Sequence, residues 1–267
     1  MPDPSPHECA ELAELALSAA RLGASLAAEL RSRPLEVSTK STATDLVTNA
    51  DRAVEEVVVA HILAARPNDG IVAEEGSGNG LDAPVVWVID PIDGTTNYVY
   101  DFPGWATSVG VRTIEGTLLA GAVVDPRHGD EFVAARGRGA KRNGTPLALE
   151  PPPPLQEALV ATGFGYDAER RAHQAGVFRQ VLPQIRDTRR MGAASVDLCS
   201  VAVGRVDAYY ELGLAEWDLA AGTLIAQESG ARVEELDGGP PRAGGRVVAA
   251  HPDLWPALVD LLRRCGL

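Results

Sequence analysis

The chain has 267 residues, 45% of them hydrophobic and 23% charged, enough for one large or two closely joined globular units with a substantial core. Its formal net charge of −13 argues against a nucleic-acid backbone or an anionic membrane as partner. The same charge would repel a phosphorylated substrate unless cations mask the site.

In chain order, the proline-rich, acidic start at 1–6 lacks the basic and apolar regions of a signal peptide. No apolar run approaches the roughly 18–20 residues of a membrane span. Cys9, Cys199 and Cys265 form neither a disulfide framework nor a metal-ligand pair, so a reducing, cytoplasmic setting is expected. Residues 8–31 predict an amphipathic helix, with Leu12, Leu15, Ala16, Ala19, Leu22, Leu26 and Leu30 at helical spacing. The stretch 40–51 reads as polar and turn-like, and Thr48 with Asp51 matches a capping arrangement for the next helix. That helix carries Val54, Val57, Val58, Ile62 and Ala65 on one face, with His61 as a packed core or interface residue in the same row. Residues 71–75 predict a short strand ending in Glu74 and Glu75, which strand geometry would send to opposite faces.

The apolar run 85–89 predicts a buried strand that delivers Asp90 to the end of a sheet. Pro91, with no N–H for a ladder, is expected to stop that strand, and a second carboxylate, Asp93, follows. Gly94 permits a tight turn into Thr95 and Thr96, whose N–H groups and hydroxyls can face the same point. Taken alone, these are also ordinary turn residues. Two carboxylates beside hydroxyls and free N–H groups nonetheless suit a hard cation together with an oxyanion, and Mg²⁺ takes oxygen ligands and commonly shares its shell with a phosphate.

Residues 107–114, 117–124 and 131–135 predict sequential antiparallel strands, with Asn143 and Gly144 marking a further hairpin turn. The prolines at 151–154 read as a stiff connector between residues 1–150 and 151–267. The second part predicts strands at 159–162, 206–212, 231–236 and 246–250 and helices at 168–182, 194–204, 217–229 and 252–264, an α/β pattern. Asp218 falls at a helix start, where negative charge also suits the helix dipole.

With Glu74, the Asp90-Pro-Ile-Asp93-Gly-Thr-Thr motif, Gly192-Ala-Ala-Ser, Glu211 and Trp217-Asp218 in this order, the sequence resembles the inositol monophosphatase family over nearly its whole length. The resemblance implies an α/β (α+β) fold layered as an αβαβα sandwich. A mainly antiparallel sheet flanked by helices in 1–150 would carry most metal ligands, and a smaller α/β part in 151–267 would supply Glu211 and Asp218. It also implies a Mg²⁺-dependent, lithium-sensitive phosphatase that forms homodimers and uses two to three Mg²⁺ ions. Carried over, Glu74, Asp90, the Ile92 carbonyl, Asp93 and Asp218 would be metal ligands, and Thr95 would orient a water together with Glu74. Asp93, Gly94, Thr95, Thr96, Gly192, Ala193, Ala194, Glu211 and Asp218 would contact substrate, with Lys40 and Asp51 supporting from outside.

A phosphate monoester is a dianion that repels hydroxide, so cations must neutralise it, and no Cys or His is placed as a nucleophile. Direct attack by water is therefore expected, most readily on inositol 1-phosphate or a similar small polyol phosphate. Three departures bear on the alcohol: Ala193 stands where relatives often carry Ser or Thr, Glu216 adds a charge before Trp217, and the loop 163–167 is of a bacterial type. Histidinol phosphate and fructose 1,6-bisphosphate remain alternatives, with 3′-phosphoadenosine 5′-phosphate behind them for want of a base pocket. A mainly regulatory, protein-binding role is the alternative of a different class.

Overall fold

The computed structural model describes residues 4–267, so the reading of the extreme N-terminus falls partly outside the described residues. Among those described, no helix is long and apolar enough to cross a membrane. Helix α1 (Pro6–Arg31) opens on a capping box in which Ser5 and Glu8 each bond the other's backbone N–H, and it buries Leu12, Ala16, Ala20 and Ala27. The stretch expected to be turn-like instead holds a short hairpin, β1 (Val37–Thr39) against β2 (Leu46–Thr48), with residues 40–45 as its tip. Helix α2 (Asn49–Ala65) then opens on the Thr48–Asp51 capping box read from the sequence. His61 is half-buried with Nε2 3.0 Å from Ser18 Oγ, a contact between α1 and α2.

Strand β3 (Gly70–Ala73) stops before the two glutamates and runs parallel to β4 (Val85–Asp93). Contrary to expectation, β4 passes through Pro91. Its register against β5 (Ala106–Thr113) breaks between Asp90 and Asp93, so the missing N–H falls in the irregularity rather than in a ladder. One turn of helix, α3 (Thr95–Val99), follows Gly94. Strands β6 (Leu118–Asp125), β7 (Asp130–Ala135), β8 (Ala140–Arg142) and β9 (Thr145–Pro146) extend the sheet antiparallel to seven strands in sequence order. Asn143 and Gly144, at φ 48° and 79°, make the predicted turn between β8 and β9.

The rest of the chain forms β10 (Leu159–Thr162), α4 (Ala168–Val181), β11 (Asp187–Arg189), α5 (Ala194–Ala202), β12 (Ala208–Leu212), α6 (Glu216–Glu228), β13 (Arg232–Glu235), β14 (Arg246–Ala250) and α7 (Trp255–Arg264). The strands pair in the order β11-β10-β12-β14-β13, with β10 parallel to both neighbours and the other pairs antiparallel. The edge strand β11 escaped the sequence reading because Asp187, Thr188 and Arg189 carry no apolar signal.

Three apolar cores hold five layers together, the middle one spanning both faces of its helices. Helices α1 and α2 cover the outer face of the seven-stranded sheet, α5 and α6 fill the space between the sheets, and α4 and α7 cover the far face of the second sheet. The fold is therefore the layered α–β–α–β–α arrangement. Helix α6 lies almost on the first sheet because two strand positions have no side chain. A Cβ on Gly110 would sit 2.5 Å from the Ala220 Cβ, and one on Gly121 2.8 Å from the Ala221 Cα.

Candidate active site

The end of β4, the first turn of α6 and the loop before α5 meet at a cavity of about 290 Å³ between the two sheets. Asp90 and Asp93 enter it from β4 and Asp218 from α6, and one carboxylate oxygen from each lies within 4.8 Å of the others. Their environments differ. Asp93 Oδ2 accepts hydrogen bonds from Ser195 N at 2.7 Å and Ser195 Oγ at 2.6 Å, and Asp218 Oδ2 accepts one from Ala215 N at 2.6 Å. Asp90 is 2% exposed, and its Oδ1 has no hydrogen-bond partner among the described residues. A buried carboxylate oxygen left unpaired is costly unless a cation or proton satisfies it.

Electrostatics agree. Burial first, and then the Glu74, Asp93 and Asp218 carboxylates, push the Asp90 carboxyl well above its ordinary value. Burial, followed by Asp93, does the same to Asp218. Burial raises Asp93 to about 6, held from going further by its bonds from Ser195. Three acids that disfavour charge in each other's company accept it readily beside a divalent cation, so the donor set fits a hard metal with oxygen ligands.

Glu74 lines the same cavity but stands outside this triad. Lys40 Nζ, reaching from the β1–β2 tip, bonds Glu74 Oε1 at 2.8 Å and also Glu75. Only Glu74 lines the cavity, as expected, but not by strand alternation: β3 ends at Ala73, and both glutamates leave a turn and meet on Lys40. Glu55, buried in α2, fixes that turn by accepting bonds from Glu75 N and Ser77 N at 2.7 and 2.9 Å. Burial raises the Glu74 carboxyl, while Lys40 opposes the rise.

The Ile92 carbonyl, Gly94 and Thr95 complete this wall. Gly94 has φ 89°, and a Cβ there would lie 2.8 Å from the Gly104 carbonyl oxygen, so glycine is required. The Thr95 hydroxyl lies 3.2 Å from Ile92 O and 3.3 Å from Asp51 Oδ1, while Asp51 Oδ2 accepts bonds from Thr48. The first N–H groups of α3, those of Thr95 and Thr96, have no carbonyl within the helix to bond. The Thr96 side chain turns to Tyr166 and does not line the cavity.

Across the cavity are Gly192, Ala193, Ala194 and Glu211. Gly192 has φ 87°, and Ala193 and Ala194 present only methyl groups. Tyr209 donates to Glu211 Oε2 at 2.7 Å, and burial lifts the Glu211 carboxyl to about 7. Gly163 leaves room for this side chain, since a Cβ there would come within 1.9 Å of Glu211 Oε2.

A model of the inositol monophosphatase family matches residues 8–266. The chain belongs to this family. It is 43% identical to an inositol-1-monophosphatase of Mycobacterium leprae, over 85% of this chain and 81% of that protein. It is 38% identical to the Nus factor SuhB of Vibrio cholerae, over 94% and 96%. The solved inositol monophosphatase of Anabaena superposes with a TM-score of 0.84 at 32% identity, covering 96% of each chain.

Within this family member, three residues of the site carried no individual signal in the sequence. Ser195 bonds Asp93 from 102 positions away. Asn97 donates its amide to Gly104 O and Met191 O at 2.6 and 2.7 Å, tying the wall after β4 to the loop before α5. Tyr209 meets Glu211 because the intervening Tyr210 points to the other sheet face, a spacing visible once β12 is recognised.

Proposed function

We propose that the chain hydrolyses a small phosphate monoester in a Mg²⁺-dependent reaction, with inositol 1-phosphate as the first candidate substrate. The observation that carries this reading is the meeting of three carboxylates from two distant elements, one of which, Asp90, has a buried Oδ1 with no hydrogen-bond partner among the described residues. Asp90, Asp93, Asp218, Glu74 and the Ile92 carbonyl would hold two to three Mg²⁺ ions. Bound there, Mg²⁺ supplies positive charge against the phosphate dianion and acidifies a water. The chain's own residues do the rest. Thr95, with its hydroxyl between Ile92 O and Asp51, and Glu74 orient the attacking water, with Lys40 holding Glu74. Gly94, Thr95 and Thr96 hold phosphate oxygens through backbone N–H groups. Glu211, fixed by Tyr209, takes a hydroxyl of the alcohol, and Gly192, Ala193 and Ala194 form the facing wall without a side-chain hydroxyl. The metal-binding acids stay aprotic acceptors in this scheme, so the alcohol's proton comes from water.

The test is phosphate release from inositol 1-phosphate, histidinol phosphate and fructose 1,6-bisphosphate, with Mg²⁺ and with a chelator. Wild type is expected to release phosphate only with Mg²⁺, fastest from inositol 1-phosphate, and to lose activity in lithium. Phosphate release by Asp90→Asn is expected to fall by about 10³-fold or more, since one of the charges that would hold Mg²⁺ is lost. Equal release by mutant and wild type would sink the reading. We also propose a homodimer, supported by Tyr100 and Phe102, which expose 75% and 58% of their surface beside α3. A monomeric mass by light scattering would exclude it.

A second reading, a mainly regulatory protein-binding role, is supported by relatives named Nus factor SuhB. Full rescue of a strain lacking this protein by the Asp90→Asn variant would favour it over the hydrolytic role.

A further inference from the structure

Glu216, the added charge before Trp217, has no place among the residues at the cavity that the proposed reaction uses. It pairs with Arg112 of β5. Arg112 Nε and Nη2 both reach the Glu216 carboxylate, the latter at 3.5 Å, while Nη1 donates to Thr113 O at 3.1 Å. The guanidinium is thereby fixed at both ends, and its side chain is only 17% exposed against 36% for Glu216.

Glu216 and Asp218 both lie in the first turn of α6. Residues two apart on a helix project about 200° from one another, so these two acids leave opposite sides of that turn. Asp218 faces Asp90 and Asp93, while Glu216 faces Arg112. The helix has little other freedom. Gly110 and Gly121 let Ala220 and Ala221 settle onto the strands, which fixes its height above the sheet. Residues 219–226 are buried all round, whereas the first turn is only partly buried, and a rotation there of about 10–20° would move a carboxylate several ångström from the axis by about 1 Å.

We propose that the Arg112–Glu216 ion pair sets the rotation of the first turn of α6 and so aims the Asp218 carboxylate at Asp90 and Asp93. Arg112 and Glu216 are positioning residues, acting through the helix and touching neither metal nor substrate. The inference rests on the reading of the three aspartates as a metal site.

The experiment measures Mg²⁺ binding by titration calorimetry without substrate, together with hydrogen exchange of the amides at 215–219. Glu216→Gln and Arg112→Met are each expected to weaken Mg²⁺ binding by about tenfold, the scale of a lost supporting contact at a metal site. Their Tm is expected within about 3 °C of wild type, because a partly exposed ion pair contributes little to global stability. Exchange at 215–219 is expected to quicken about tenfold. The charge-reversed double variant Arg112→Glu with Glu216→Arg should restore Mg²⁺ binding to within about threefold. Faster exchange with unchanged Mg²⁺ affinity reduces the pair to a structural tie and overturns the proposal. A wild type that takes up no Mg²⁺ overturns the metal reading instead, and the pair is then decided by the exchange rates: equal rates in wild type and Glu216→Gln overturn it.

Discussion

At the scale of single residues, the site is a set of acids whose neighbours decide what each one does. Asp93 has both a hydroxyl and an N–H from Ser195 on one oxygen, which fixes its carboxylate beside Asp90 and Asp218. Ser195→Ala removes the hydroxyl bond and lets the carboxylate rotate. Mg²⁺ affinity is expected to weaken by about 10-fold with the fold retained, as titration calorimetry and near-ultraviolet circular dichroism would show. Asp90 predicts the opposite sign for stability. Its charge is opposed by burial and by three other carboxylates, so Asp90→Asn should raise the Tm of the metal-free protein while abolishing turnover. A lowered metal-free Tm would contradict that account of the cluster. Asp90, Asp93, Glu74 and Asp218 were all legible as candidates, because acids at element ends beside glycine and proline stand out in a sequence. Ser195 was not, because nothing local tells a helix-start serine that bonds its own backbone from one that bonds an aspartate 102 residues earlier.

At the scale of elements, helix α6 joins the two halves of the site. It carries Asp218 into a cavity whose other acids belong to the first sheet, and it sits low because of Gly110 and Gly121. Gly110→Ala should force α6 off β5 and cost about 1–3 kcal/mol, measured by denaturant unfolding, since the added methyl meets another methyl and not the tip of a flexible side chain. The lifted helix should also carry Asp218 away from its partners, so Mg²⁺ affinity falls with stability. Strand β4 shows how a local rule can be right and its consequence wrong. Pro91 does lack the N–H a ladder needs, yet the strand resumes through Asp93 because the register breaks there. That break places Asp90 and Asp93 at the same cavity, where strict alternation would send them to opposite faces. The irregularity is thus the means by which one strand supplies two carboxylates to the cavity.

At the scale of the whole molecule, a −13 chain folds around an acidic cavity, so the metal-free protein carries a built-in pH dependence. Folding raises Glu211 from 4.5 to about 7 and Asp93 from 3.8 to about 6, chiefly through burial. A carboxyl raised on folding binds its proton more tightly in the native state. Its contribution is therefore fully present below its unfolded value and lost as pH rises through the folded one. Metal-free Tm should accordingly decline between about pH 4 and pH 7, and Glu211→Gln should flatten the upper part of the decline. Saturating Mg²⁺ should raise Tm most at pH 7 and above, where the acids are charged and a ligand selective for the native state adds most. Thermal melts across pH, with Mg²⁺ and with chelator, check both statements. A metal-free Tm that climbs over this window would refute the sign.

The sequence by itself determined the alternation of elements, the layered fold class, the Thr48–Asp51 cap, the Asn143-Gly144 turn and the acids that reach the site. Each depends on periodicity, turn chemistry or an ordered motif, all of which are written within a few residues of one another. Only the tertiary structure decided which acids actually meet. It gathered Asp90, Asp93 and Asp218 and left Glu74 beside them on Lys40, and it assigned Ser195, Asn97, Tyr209 and the Arg112–Glu216 pair to their partners. Apart from the local Tyr209–Glu211 and Asn97–Gly104 bonds, those contacts span tens to more than a hundred residues. They follow from how closely α6 and the loop before α5 settle on the first sheet, which is a matter of packing and not of local pattern.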